Sequence, residues 1–246
     1  MTFVIMELGM QDYPFLVLCV LMVISVVATG GLRRDLVRHM ARMALVSLPF
    51  AFTEFMFYPD YWDPPFLFDA AAKIGFGLED CLIGAALGAM AIGIYPALAG
   101  KQLQRVKLHT ATQSVLKMAV VTGLALLAAV AGWVAGFPAI YAGLVIMITM
   151  PTVLLLAARP DLWQHAWRSG GTVLVAYVGV CMALELILPG TFARYWHTGD
   201  LLNAFAGPLP LEELLYGFSA GFAAAVIYPF AFGLEFRHYP TCPRKK

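Results

Sequence analysis

Six carboxylates stand where this chain otherwise has almost nothing but hydrocarbon: Glu54, Glu79, Asp80, Glu185, Glu212 and Glu213 lie inside or at the margins of long apolar runs. An ionised acid at the centre of a bilayer costs about 2.5–3.5 kcal/mol on insertion scales. Six of them would cost a sum comparable with the net stability of a whole domain, about 5–15 kcal/mol. They must therefore lie off-centre, hold protons, or share hydrogen bonds in a polar cavity. Four form adjacent pairs, Glu79-Asp80 and Glu212-Glu213. Neighbouring carboxylates oppose double ionisation, so a proton is held or shared between them. A group of that kind can work as a general acid, with an ionised neighbour as base.

Helix geometry constrains the two pairs further. Pro208 and Pro210 put Glu212 and Glu213 in the first turn of their helix, where the dipole favours an anion. Adjacent residues differ by about 100° in direction, so the members of a pair cannot face one point. Asp80, Gly84, Gly88, Ala91 and Tyr95 share one face, as do Glu213, Gly217, Gly221, Ala224 and Tyr228. Small residues at that spacing let helices approach closely in a membrane, so the second acid of each pair points into a helix seam.

The elements that must position these acids follow from composition. The chain has 246 residues, 61% hydrophobic and 13% charged, with mean hydropathy +0.79; a soluble domain carries about 25% charged residues. The apolar residues fall into blocks of about 20, the length that crosses a hydrocarbon core of about 30 Å. Seven spans are expected, at roughly 13–32, 40–58, 74–98, 113–133, 137–158, 170–190 and 209–233. The expected fold is all-α, a polytopic membrane protein, with no length left for a separate soluble domain. Glu7 and Asp12 precede the first run where a cleaved leader would carry positive charge, so that run reads as a true span.

Of the 16 Lys and Arg residues, all but Lys73 and Arg194 fall on one side of this arrangement, including Arg33, Arg34, Arg38, Arg42, Lys101, Arg105, Lys107, Arg159, Arg168, Arg244, Lys245 and Lys246. The positive-inside rule then places the N-terminus outside and the C-terminus in the cytoplasm, in a cell (inner) membrane. With that orientation all six acids converge at one depth, in the outer half of the bilayer. A net charge of +1 without a basic groove interleaved with aromatics excludes nucleic acid as a partner. Cys19, Cys81, Cys181 and Cys242 are scattered, and neither a metal-binding histidine motif nor a nucleotide-binding glycine loop is present, so no cofactor and no metal is expected. His39 and His165 read as interface residues among arginines.

An internal repeat organises the spans. Residues 78–96 and 211–229 share nine identities over 19 positions in one register, from Leu78-Glu79 with Leu211-Glu212 to Ile94-Tyr95-Pro96 with Ile227-Tyr228-Pro229. Upstream, Tyr61-Trp62 pairs with Tyr195-Trp196, Glu54 with Glu185, and Asp35-Leu36-x-x-His39-x-x-Arg42 with Asp161-Leu162-x-x-His165-x-x-Arg168. The chain divides into a first three-helix repeat (1–109), a linking transmembrane helix (110–135) and a second three-helix repeat (136–246). The two repeats run parallel, related by an axis near the membrane normal, with a ligand cavity expected where they meet.

At Pro210-Leu211-Glu212-Glu213, its twin Gly77-Leu78-Glu79-Asp80, and the stretch from Glu54 to Trp62, the chain resembles the integral-membrane lycopene cyclases, which occur as two three-span subunits or as one fused chain. That family repeats Pro-x-Glu-(Glu or Asp) once per unit; here Gly77 replaces the first proline. The resemblance implies cyclisation of the ψ-ends of an acyclic carotenoid taken from the bilayer. A carboxylic acid protonates a terminal C=C, an internal C=C attacks the cation, and a carboxylate removes a proton, with no net redox change. It implies Glu212 and Glu213 as the acid/base pair of one half-site and Glu79 and Asp80 of the other, with Glu54 and Glu185 positioning or relaying protons. Phe57, Tyr61, Trp62, Tyr195 and Trp196 would offer aromatic faces to the cation, with Pro210 at the substrate-binding motif. Association with other membrane enzymes of the carotenoid pathway is compatible with this; the oligomeric state, the ring type and the division into acid and base stay open. The competing reading is a proton-coupled transporter or carrier of a lipophilic solute, which parallel repeats and buried acids also fit.

Overall fold

The computed structural model describes residues 12–106 and 110–239. Glu7, Lys107, Cys242, Arg244, Lys245 and Lys246, which entered the orientation and cysteine readings, lie outside the described residues. The chain is mostly helical: α1 (Pro14–Leu32), α2 (Val37–Ser47), a 3-10 helix (Leu48–Met56), α3 (Ala70–Ile74), α4 (Leu78–Leu98), β1 (Lys101–Arg105), α5 (Ala111–Val134), α6 (Ala139–Ala157), α7 (Trp163–Ile187), α8 (Thr191–Tyr195), β2 (Phe205–Ala206), β3 (Leu209–Pro210), α9 (Leu211–Phe232) and β4 (Leu234–His238).

Among the described residues six helices, α1, α4, α5, α6, α7 and α9, are long and apolar enough to cross a membrane. The stretch expected as a span at 40–58 is not a continuous helix. Pro49 stands in the first turn after Ser47, where it removes an N–H and crowds the preceding turn, and the backbone tightens into the 3-10 form. The two pieces together still reach about 34 Å, from about 1.5 Å per residue in α2 and about 2.0 Å in the 3-10 helix. They run the length of the bundle: His39 meets Tyr228 near the end of α9, while Glu54 shares a cavity with Glu213 at its start.

Burial sorts the helices. In α4 and α9, 61% of the apolar window is buried, against 11% in α5. The first two form the centre; α5 turns an apolar surface outward, as lipid contact requires. Contact at the centre is close because side chains are missing where backbones meet. A Cβ on Gly221 would stand 2.6 Å from the carbonyl oxygen of Ser169 in α7, and one on Gly88 would stand 3.0 Å from that of Met43 in α2.

Contacts at the arginine-rich end come in matched sets. Arg33 pairs with Asp35 at 2.9 Å and donates to the carbonyls of Pro96 (3.2 Å) and Lys101 (2.6 Å). Arg159 pairs with Asp161 at 2.7 Å and donates to those of Pro229 (3.2 Å) and Leu234 (2.9 Å). Each guanidinium thus ties a last-turn carbonyl of α4 or α9 to the first carbonyl of the strand that follows. The Tyr228 hydroxyl bonds His39 Nδ1 at 3.0 Å, and the Tyr95 hydroxyl bonds His165 Nδ1 at 2.7 Å. Strands β1 and β4 pair antiparallel from Lys101↔His238 to Arg105↔Leu234. At the opposite end Trp62 and Trp196 form a backbone bridge, flanked by His197 N–H donating to the Tyr61 carbonyl (2.8 Å) and Asp63 N–H to that of Tyr195 (3.1 Å).

Gly221→Leu is expected to force α7 from α9 and to destabilise the protein by about 1–3 kcal/mol, read as a lower midpoint of thermal unfolding in detergent.

Candidate active site

Between the 3-10 helix, α4, α5, α6 and α9 lies a cavity of about 210 Å³. Its wall is hydrocarbon from Phe15, Phe57, Ile83, Leu87, Leu144 and Met147, broken by Glu54, Asp80, Glu213, Trp62 and Tyr216. All three acids are buried, with Glu213 only 1% exposed. Among the described residues no Lys or Arg lines the cavity, and the donors to its carboxyls are neutral.

Glu213 is held by three of them. The Tyr61 hydroxyl and the Trp196 indole N–H both donate to Oε1, each at 2.9 Å, and the Tyr177 hydroxyl donates to Oε2 at 2.6 Å. Tyr61 comes from the loop after the 3-10 helix, Trp196 from the end of α8 and Tyr177 from mid-α7, so one carboxylate ties three elements to α9. Burial and the adjacent Glu213 push the Tyr61 hydroxyl well above the ordinary tyrosine range, which keeps it a donor.

Asp80 is fixed by its helix start. Gly77 is extended ahead of α4, and its N–H donates to Asp80 Oδ2 at 2.6 Å, closing half of a capping box. Trp62 Nε1–H donates to Glu54 Oε1, and the Glu54 and Asp80 side chains line the same cavity. The 3-10 helix turns Glu54 to that side. At about 120° per residue instead of about 100°, the six steps from Leu48 rotate Glu54 by about 120° relative to an α-helix.

The remaining acids serve elsewhere. Glu79 Oε1 accepts from Leu67 N–H at 2.7 Å, and Glu212 Oε1 accepts from the Tyr141 hydroxyl at 2.8 Å, which itself accepts from Leu202 N–H at 2.9 Å. Each first acid thus anchors a loop, and each keeps a buried Oε2 without a partner among the described residues. Glu185 does not converge with the others. It accepts from Gly190 N–H (2.6 Å) and Phe192 N–H (3.4 Å), because α7 stays α-helical to Ile187 and carries it into the following turn.

The aromatic candidates also divide. Phe57 and Trp62 line the cavity, their ring centroids 5.8 Å apart. Tyr61 and Trp196 bond Glu213 and border a second, outer cavity of about 1030 Å³. Tyr195 lies under the Arg194 guanidinium, 5.1 Å from its ring centre, and Pro210 is buried in β3; neither lines the acid-bearing cavity. Sequence reasoning passed over Tyr177, Tyr141 and Tyr216. The available signal was a phenol within an apolar span, since a buried hydroxyl needs a partner. Tyr177→Phe leaves Glu213 Oε2 without its donor and is expected to cost about 1–3 kcal/mol, measured as loss of folded protein on heating in detergent.

Residues 138–231 match the model of the lycopene cyclase family. Neither a curated protein nor a solved structure matches the chain.

Proposed function

On the premise that the match over residues 138–231 supports, a lycopene cyclase family, we propose that this protein closes the ψ-end groups of an acyclic, lycopene-type carotenoid. The observation that carries the reading is one cavity, apolar over most of its wall and buried among membrane-length helices, into which Glu54, Asp80 and Glu213 project. A branched polyene end meets hydrocarbon on most sides, a carboxylic acid for protonation and a carboxylate for deprotonation. Phe57 and Trp62 present ring faces that favour a carbocation and exclude water. Every electron stays on the carotenoid, so the reaction consumes no redox cofactor. Such a cavity takes one end of the molecule at a time, the rest lying among the helices or in the bilayer.

The same reading takes the chain as two parallel three-span units joined by α5, with α2 and the 3-10 helix together serving as the second of seven crossings. The matched contacts of Arg33 with Arg159, of His39 with His165, and of β1 with β4 support it. The arginine-rich end then faces the cytoplasm and the acids the outer leaflet of a cell membrane. In this reading the site is one composite cavity lined by acids from both units.

The test is expression in a bacterium that accumulates lycopene, with the pigments separated by chromatography. Ring-bearing carotene appears with the wild-type chain. Glu213→Gln and Asp80→Asn each lower its formation at least about a hundredfold, the scale of a lost general acid or base, while Glu185→Gln, away from the cavity, keeps most of it. Unchanged lycopene in cells whose membranes hold the protein rejects the cyclase; uptake of a lipophilic solute driven by a proton gradient would then favour the carrier.

A further inference from the structure

The motif Pro-x-Glu-(Glu or Asp) does not distinguish proton donor from proton acceptor; the hydrogen-bond partners around each carboxyl do. Trp196 Nε1 can only donate, and it shares Glu213 Oε1 with the Tyr61 hydroxyl while Tyr177 occupies Oε2. A proton on Oε1 would point at an indole N–H, and one on Oε2 would require the Tyr177 hydroxyl to turn away. Three donors at 2.6–2.9 Å fit a carboxylate. Glu54 and Asp80 differ. Each has one neutral donor, from Trp62 and from the Gly77 backbone, and both line the one cavity. Two carboxyl groups facing one apolar cavity, with a single donor each and no Lys or Arg among its described lining residues, hold a proton between them.

Resting on the cyclase reading above, we propose that the Glu54–Asp80 pair is the proton donor and Glu213 the acceptor, so that every ring closure uses acids from both halves of the chain. The pair gives its proton to the terminal C=C, whose π electrons form the new C–H bond and leave a tertiary cation. The internal C=C supplies the electron pair of the ring-closing C–C bond, and the cation moves to the far carbon of that alkene. Glu213 takes a proton from a neighbouring carbon, whose C–H electrons become the ring double bond. The carotenoid is isomerised, the pair is left doubly anionic and Glu213 neutral. Tyr216 lines the cavity with all three acids and makes no hydrogen bond to a described residue, which suits its hydroxyl to pass the proton back.

The experiment is turnover of lycopene in D2O by the detergent-solubilised full-length protein, with deuterium counted by mass spectrometry in product and in recovered substrate. Wild type puts deuterium into the ring-bearing product. Glu54→Gln and Asp80→Asn return lycopene free of deuterium and without rings. Glu213→Gln still forms cations, and returns lycopene carrying deuterium, a displaced ring double bond, or an alcohol from capture by water; Glu213→Asp restores ring formation. Deuterium-free lycopene from Glu213→Gln, or deuterated lycopene from Glu54→Gln or Asp80→Asn, overturns the assignment. Tyr177→Phe is a second arm that keeps every carboxyl. Loss of one donor to the base moves the acidic limb of its pH–rate profile to higher pH, and an unmoved limb counts against the proposal. A wild-type protein that forms no ring overturns the cyclase reading itself, an outcome distinct from a swapped isotope pattern.

Discussion

A carboxylate placed in hydrocarbon must be supplied with donors, because water is not there to solvate it. Glu213 is the clearest case. Its two oxygens take hydrogen bonds from α7, from the end of α8 and from the loop after the 3-10 helix, so satisfying one side chain fixes the relative positions of three elements. Neutral donors were the economical choice. Burying a cation beside the acid would add its own desolvation cost, whereas phenols and an indole contribute apolar area and one polar atom each. The same logic divides each adjacent pair of acids. The first member bonds a loop and the second enters the cavity, since about 100° between neighbours on a helix forbids both from facing one point.

Much of this was legible in the sequence because it follows from composition and period. The membrane class, the helical content and the placing of Asp80 and Glu213 on small-residue faces come from hydrophobic block length and three- and four-residue spacing. His39, His165, Tyr95 and Tyr228 were equally visible as recurring residues, and in the structure His39 bonds Tyr228 while His165 bonds Tyr95. What escaped was conformational. Pro49 stands within the stretch expected as one span, and its identity does not tell that nine residues wind as 3-10 and carry Glu54 to the cavity that Asp80 lines. Glu185, its sequence counterpart, lies on a helix without that change and ends in a turn. Nor does linear order tell which tyrosines of a span find a carboxylate, since Tyr177 reaches Glu213 only once α7 is packed on α9.

Glu54 and Glu185 stand in different surroundings, and Glu54 lines the acid-bearing cavity while Glu185 does not. Where α7 packs closely on α4 and α9, Tyr177, Cys181 and Leu184 fill the seam completely. Where the 3-10 helix replaces a second straight span, the seam is left open, and α5 and α6 wall it from the side. Identical surroundings would treat these acids alike. Glu213 instead takes three donors, while Glu54 and Asp80 take one each, so the carboxyls that line one cavity differ in how well hydrogen bonding supports a negative charge on each.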